Sequence, residues 1–203
     1  GSFMVNSKIM ILSILIPTTE DRKPVFDRLV KELKRQCVGK TKQVEIISLS
    51  DDKKMTIGEK RNKLYQMANG RYSWQIDDDD WVHPEAVSLI LKAAESNKDC
   101  ITFQEVVIFD GGRPTSSNFS LEYLDWKDNS HGFDYVRTPF FKTPIKTDIC
   151  KQVKVPLIRF GEDHEWAKAV RPLLQSEMHI NDNIYWYLHY STPFNERYGI
   201  LHN

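Results

Sequence analysis

The stretch IMILSILIP, residues 9–17, is an unbroken aliphatic run closed by a proline. A strand with one face in water alternates apolar and polar residues, whereas this run is apolar on both faces and reads as a strand covered on both sides. Such a strand belongs in the interior of a parallel sheet. The residues from Thr18 to Ser96 fit that placement. Thr18-Thr19-Glu20-Asp21 opens a helix with Pro24 in its first turn, and Val25, Phe26, Leu29, Val30 and Leu33 recur at helical spacing. VEIISLS (44–50) reads as a second strand, 58–68 as a helix stopped by Asn69-Gly70, YSWQI (72–76) as a third strand, and Pro84 as the start of a helix running to about Ser96. This β-α-β-α-β-α order predicts an α/β fold with a mostly parallel sheet flanked by helices. CITFQEVVIF (100–109) ends at the turn signal Asp110-Gly111-Gly112, and 113–145 reads as irregular, polar and aromatic, so the second half is expected to add strands and loops laid over the first.

Composition narrows the class. Basic and acidic residues number 28 each, so no net field favours nucleic acid or an anionic membrane. The longest apolar run is half the length of a bilayer span, so no membrane span is expected. Cys37, Cys100 and Cys150 are widely spaced and odd in number. They read as reduced thiols of a cytoplasmic protein rather than a disulfide or zinc framework. Gly1, Ser2 and Phe3 precede Met4 as an expression remnant, and 4–203 reads as one domain.

In open parallel sheets, ligands sit beyond the carboxyl ends of the strands. Pro17-Thr18-Thr19, Asp51-Asp52 and Asp77 to Asp80 all fall at such ends. Four adjacent carboxylates repel one another, so they must be solvated or face a cation. Oxygen ligands from one or two carboxylates, completed by water and phosphate, suit Mg²⁺ or Mn²⁺. The apolar flank of Trp74, Ile76, Trp81 and Val82 argues against a merely solvated turn. An EF-hand is excluded because the sixth position from Asp77 is Val82 and the twelfth is Ser88. Neither a P-loop nor a GxGxxG is present.

The order SILIPTT, VEIISLSDD, GEKRNKLYQMANGRYSWQIDDDDW and FGEDHEW resembles the GT-A fold glycosyltransferases of family 2, over roughly residues 11–192. The resemblance implies a donor-binding half at 4–98 and an acceptor-binding half at 99–203. It implies Asp79 as the main metal ligand for Mn²⁺ or Mg²⁺, Asp78 or Asp77 at the ribose or a metal-bound water, and Asp51 accepting from the uracil. Pro17 and Thr18 would line the nucleoside pocket, and Arg61 would meet the uracil or diphosphate. Asp163 would be the general base, with Glu162 and His164 beside it; taken without the resemblance, Glu162 and Asp163 read as caps of the adjoining helix. His189, in the aromatic strand IYWYLHY (184–190), would be a second metal ligand and His131 a weaker one, although a lone histidine is more often structural. Trp126, Phe140 and Phe141 could stack on sugars, but core packing is the simpler reading.

The partners implied are a UDP-sugar donor and a glycan or glycoprotein acceptor, in viral or surface glycan synthesis. The family's Asp-Asp-Gly-Ser is here Ser50-Asp51-Asp52-Lys53, and the Gln-x-x-Arg-Trp signature of processive synthases is missing, which implies single-sugar transfer. Clustered aspartates would also suit a metal-dependent phosphohydrolase or nuclease, but nearly all of them lie in one segment. A non-catalytic carbohydrate-binding module would need the aromatics without the acidic rim.

Overall fold

A computed structural model describes residues 9–192. Strand β1 (Leu12–Thr19) is buried from Leu12 to Thr18 and pairs in parallel with β2 (Val44–Asp51) on one side and β3 (Tyr72–Gln75) on the other. Covered edges and faces explain its unbroken apolar sequence. After one 3₁₀ turn at Glu20–Arg22, helix α1 (Lys23–Gln36) lays Val25, Leu29 and Leu33 on the sheet, with Phe26 and Val30 packed beside them.

Helix α2 (Ile57–Met67) starts in a capping box: Thr56 Oγ1 accepts from the Glu59 amide at 3.2 Å, and the Glu59 carboxylate accepts from the Thr56 amide at 3.0 Å. It ends before Gly70, where a Cβ would lie 2.6 Å from the Ser13 backbone nitrogen. Only glycine lets the chain cross β1 that closely. Strand β4 (Trp81–Val82) and helix α3 (Ala86–Ala94) complete the first half.

The second half is more regular than its sequence suggests. Strand β5 (Cys100–Phe109) occupies the predicted residues, and Asp110 and Gly111 make the expected turn with positive φ. The segment 113–145, expected to be irregular, instead holds β6 (Thr115–Phe119), β7 (Lys127–Ser130), β8 (Phe133–Arg137) and the start of β9 (Ile145–Lys146). These strands run two to five residues, too short for a period to show, and several are polar because one face is in water. Helices α4 (Thr147–Cys150) and α5 (Glu162–Val170) come next, and the chain then returns as β10 (Glu177–His189).

The sheet order is β2-β1-β3-β9-β5-β6-β8-β7, with β10 parallel to β5 and antiparallel to β4. The β10–β4 contact brings Tyr185 and Leu188 next to the acidic run, and this positions the site. Cys37, Cys100 and Cys150 are buried and unbridged. Among the described residues no helix is long and apolar enough to cross a membrane.

Candidate functional site

The carboxyl ends of β1, β2 and β3 do meet at one rim. Asp77, Asp78 and Asp79 line a cavity of about 320 Å³ with Pro17, Thr18, Thr19, Arg22, Ile57, Lys60 and Arg61. The chain's own cations answer most of the charge on the acidic run. Arg22 grips Asp78 through Nε at 2.8 Å and Nη2 at 2.6 Å, and its Nη2 also lies 2.9 Å from Asp79 Oδ2. Thr18 Oγ1 donates to Asp78 at 2.8 Å, and Arg61 Nη2 donates to Asp77 Oδ1 at 3.0 Å.

Asp80 turns away from the cavity. It is buried, accepts from Tyr185 Oη at 2.5 Å and from the Leu188 amide at 3.0 Å, and ties the run to β10. Burial pushes its pKa well above the carboxylate range. Burial also works against ionised Asp77, but Arg61 and Lys142 outweigh it and hold its pKa low. Asp79 is pushed up by burial and by Asp77, against the pull of Arg22.

Asp51, at the end of β2, is not among the residues that line this cavity. It is ion-paired with Lys60 and accepts from the Met55 amide at 2.6 Å. Lys60 Nζ also donates to the Thr18 carbonyl at 2.5 Å, which ties β1, β2 and α2 to one another.

A second cavity, of about 420 Å³, shares Arg61 and Asp77 with the first. Glu162 and Asp163 enter it from the first turn of α5. The cap position of that helix is Gly161, at φ 79°, without a side-chain capping bond, and both carboxylates stand in the first turn, where the helix N-terminus favours them. Burial raises the pKa of Glu162, and the Asp163 charge adds to it. Asp163 Oδ1 accepts from the His164 amide at 2.8 Å. The His164 ring lies outside the cavity, bonded to Asp125 at 2.8 Å and stacked on Trp126 at 4.5 Å.

Trp126, Phe140 and Phe141 pack in or against the core, as expected, and they also line the cavity. His189 lines this second cavity, with Nδ1 3.1 Å from Tyr187 Oη, whereas Asp79 lines the first. His131 sits exposed on the β7–β8 turn at φ 55° and lines neither. Among the described residues no three His, Cys, Asp or Glu side chains gather as a metal site. One or two part-exposed carboxylates beside a phosphate-sized space still fit a hard divalent ion that takes its other ligands from water and phosphate.

Several residues at these cavities carry no signal in their local sequence. Arg22 comes after Glu20-Asp21 and reads as a helix-start charge; Glu105 and Ser117 lie within strands; Lys142 lies in a loop. Only the tertiary pairing brings them to the site.

Comparison with known proteins places this architecture. Solved structures of S. aureus TarS 1–349 superpose with a TM-score of 0.64 for the complex with UDP-GlcNAc, covering 91% of this chain and 60% of that chain at 14% identity. The complex with UDP gives 0.62, covering 95% and 63% at 14% identity. A further S. aureus TarS structure gives 0.61 at 14% identity, covering 88% of this chain and 37% of that one. At this identity the likeness concerns the fold, which is the GT-A arrangement, and the chain spans less than two thirds of these neighbours' length. No curated protein matches. The glycosyl transferase family 2 profile matches residues 51–160, from the Asp51 strand end through the acidic run to the loop before Glu162, and with more than half of the sequence inside that match the chain belongs to glycosyl transferase family 2.

Proposed function

We propose that the protein moves one sugar from a UDP-sugar to a hydroxyl of a glycan or glycoprotein acceptor, in viral or surface glycan synthesis. The observation that carries this reading is the junction of two unlike cavities at Arg61 and Asp77. One brings Arg22, Lys60 and Arg61 together with three aspartates, groups that can meet a diphosphate and a divalent ion; the other is rich in aromatic rings and holds two carboxylates, as an acceptor hydroxyl needs. The uridine and UDP-sugar assignment draws further support from the UDP and UDP-GlcNAc complexes of the TarS neighbours.

In this mechanism Pro17 and Thr18 hold the nucleoside, and Asp51 has lone pairs left for the uracil imide N–H beyond those used by Lys60 and Met55. Asp77 and Asp78 stand at the ribose, and Arg61 balances the charge that grows on the departing diphosphate. Asp163 takes the acceptor proton as the acceptor oxygen bonds to the anomeric carbon and the bond to UDP breaks. Glu162 flanks it. Mn²⁺ or Mg²⁺ held by Asp79, with His189 as a second ligand after movement of one wall, would supply charge neutralisation at the diphosphate. A phosphohydrolase or nuclease is less well supported, because the run is already tied up by Arg22 and Arg61 rather than arranged around two ions. The carbohydrate-binding alternative leaves the cavity of cations and aspartates without a purpose.

Thermal shift with UDP, ADP and GDP, with and without Mn²⁺, is the direct test, since a ligand of the native state raises the melting temperature. UDP should give the largest shift, and incubation with UDP-sugars and glycan acceptors should release UDP. Equal shifts for all three nucleotides would sink the uridine assignment. No shift and no UDP release would sink the transferase reading.

A further inference from the structure

Glu105 and Ser117 face each other across the antiparallel β5–β6 pair, and both line the larger cavity. Register partners emerge side by side on one face. They are 4% and 1% exposed. Lys142, from the loop before β9, puts Nζ 3.5 Å from Glu105 Oε2 and 3.5 Å from the centre of the Tyr187 ring. Ser117 Oγ, enclosed and on the cavity wall, has no hydrogen-bond partner among the described residues. Native interiors rarely leave a hydroxyl in that state, because losing water without gaining a partner is unfavourable.

We propose that Glu105, Ser117 and Lys142 form a subsite for a neutral, hydroxyl-rich pyranose ring. A sugar hydroxyl both donates and accepts, and this trio offers a carboxylate that accepts, an ammonium that donates and a serine that does either. The rings of Phe140 and Tyr187 on the same cavity wall lower the local polarity, which strengthens each of these bonds. Charge selects against ionic sugars. An anion approaching Lys142 would have to displace Glu105 and would also meet Asp77, whose charge acts on the same ammonium. A cation approaching Glu105 would meet Lys142. Of the other cations on the wall, Arg137 is engaged with Asp128 at 3.3 Å and lies over the Trp126 ring at 5.1 Å, and Arg61 is engaged with Asp77 at 3.0 Å. The ring is either the donor's sugar or the acceptor's, and the proposal rests on the transferase reading of the cavity.

The test compares the wild type with Ser117→Ala and Glu105→Gln. Calorimetry would use UDP, UDP-glucose, UDP-galactose and UDP-GlcNAc; saturation-transfer NMR would use methyl glucoside, methyl galactoside and the anionic methyl glucuronide. Both variants should bind UDP as the wild type does, since neither residue lines the nucleotide cavity. If the ring is the donor's, the affinity that a UDP-sugar gains over UDP falls about 3- to 10-fold in Ser117→Ala and about 10- to 100-fold in Glu105→Gln, the size of a neutral and of a charge-assisted hydrogen bond. If the ring is the acceptor's, that gain is unchanged and binding of the neutral methyl glycosides weakens by the same factors.

The proposal is overturned if neither quantity moves in either variant, or if methyl glucuronide binds the wild type more tightly than the neutral glycosides. Glu105→Gln leaves Lys142 without its partner and can lower stability, so Ser117→Ala, which deletes only an unpaired hydroxyl and should keep or raise the melting temperature, carries the decision. Failure of UDP to bind the wild type would sink the nucleotide-sugar reading instead, and the methyl glycoside measurements would still decide the subsite.

Discussion

The cavity at the ends of β1 and β3 and the cavity under β5, β6 and β10 share Arg61 and Asp77, yet they are assembled in opposite ways. The first is built mostly from short segments at the ends of parallel strands, with every ionic group paired inside the chain: Arg22 with Asp78 and Asp79, Arg61 with Asp77, and Lys60 with Asp51. The second is built from strands and loops far apart in sequence. It holds aromatic rings, two carboxylates in the first turn of α5 and a serine hydroxyl without a partner among the described residues. The lesson is a division of labour. A pocket for a charged diphosphate can be pre-neutralised by the fold, whereas a pocket for neutral hydroxyls leaves hydrogen-bonding capacity unspent until the ligand arrives.

The sharpest test of that division is Asp163→Asn. The change keeps the side chain's shape but cannot take the acceptor proton, so transfer should fall by about 10²- to 10⁴-fold. UDP-sugar affinity, set mainly in the other cavity, should stay near its wild-type value. Product NMR adds an independent check: if the anomeric configuration is retained rather than inverted, no base is required on the acceptor side, and Asp163 becomes a binding residue.

Next in size is a contrast within one run of identical residues. Asp80→Ala removes a buried acceptor and strands both the Tyr185 hydroxyl and the Leu188 amide. Stability should drop by about 2 to 4 kcal/mol, because two buried hydrogen bonds are lost and their donors are left unsatisfied. Urea unfolding measures it. Asp79→Ala should leave stability nearly unchanged, because it relieves repulsion from its neighbours while giving up only an ion pair to Arg22, and it should remove Mn²⁺-dependent UDP binding. A variant that binds UDP with the wild-type Mn²⁺ dependence would exclude Asp79 as the ligand.

These four aspartates also mark the limit of what the sequence discloses. The run itself, its place at a strand end and the strands and helices before it are legible in local period and turn chemistry, and each lies within a few residues of its expected position. The four different fates within the run are not. Whether an aspartate meets Arg22, Arg61 or Tyr185 depends on side chains between 16 and 105 residues away, and Tyr185 arrives through a β4–β10 pairing that leaves no local trace. For the same reason residues 113–145 look irregular: a strand as short and polar as Lys127–Ser130 is a strand only because Phe133–Arg137 lies beside it.

The smallest predicted effect concerns pH, and it asks whether the half built around β5 and β10 yields first on acidification. Thr102, on β5, has one hydroxyl proton and gives it to Glu177 at 2.6 Å, so His179 Nδ1 donates to Thr102 Oγ1 at 2.9 Å. The Glu177 carboxylate also accepts from Ser120 and from the Leu121 amide, which binds β10 to the β6 end. Burial lowers the pKa of His179, with the Glu177 and Glu122 charges opposing it. A histidine with a folded pKa below its unfolded value stabilises the fold fully above the unfolded value, near 6.5, and that contribution is lost as pH falls through the folded value. His179 therefore pulls the melting temperature down below about pH 6.5, against carboxyls such as Asp80 and Glu162 whose raised pKa values favour the fold as they protonate. His179→Gln keeps a donor for Thr102 but cannot titrate, so its curve should stay flatter between neutral pH and the range where carboxylates protonate. Parallel curves for the two proteins would mean that His179 carries no linkage, and the half built around β5 and β10 would then have no greater acid sensitivity than the nucleotide rim.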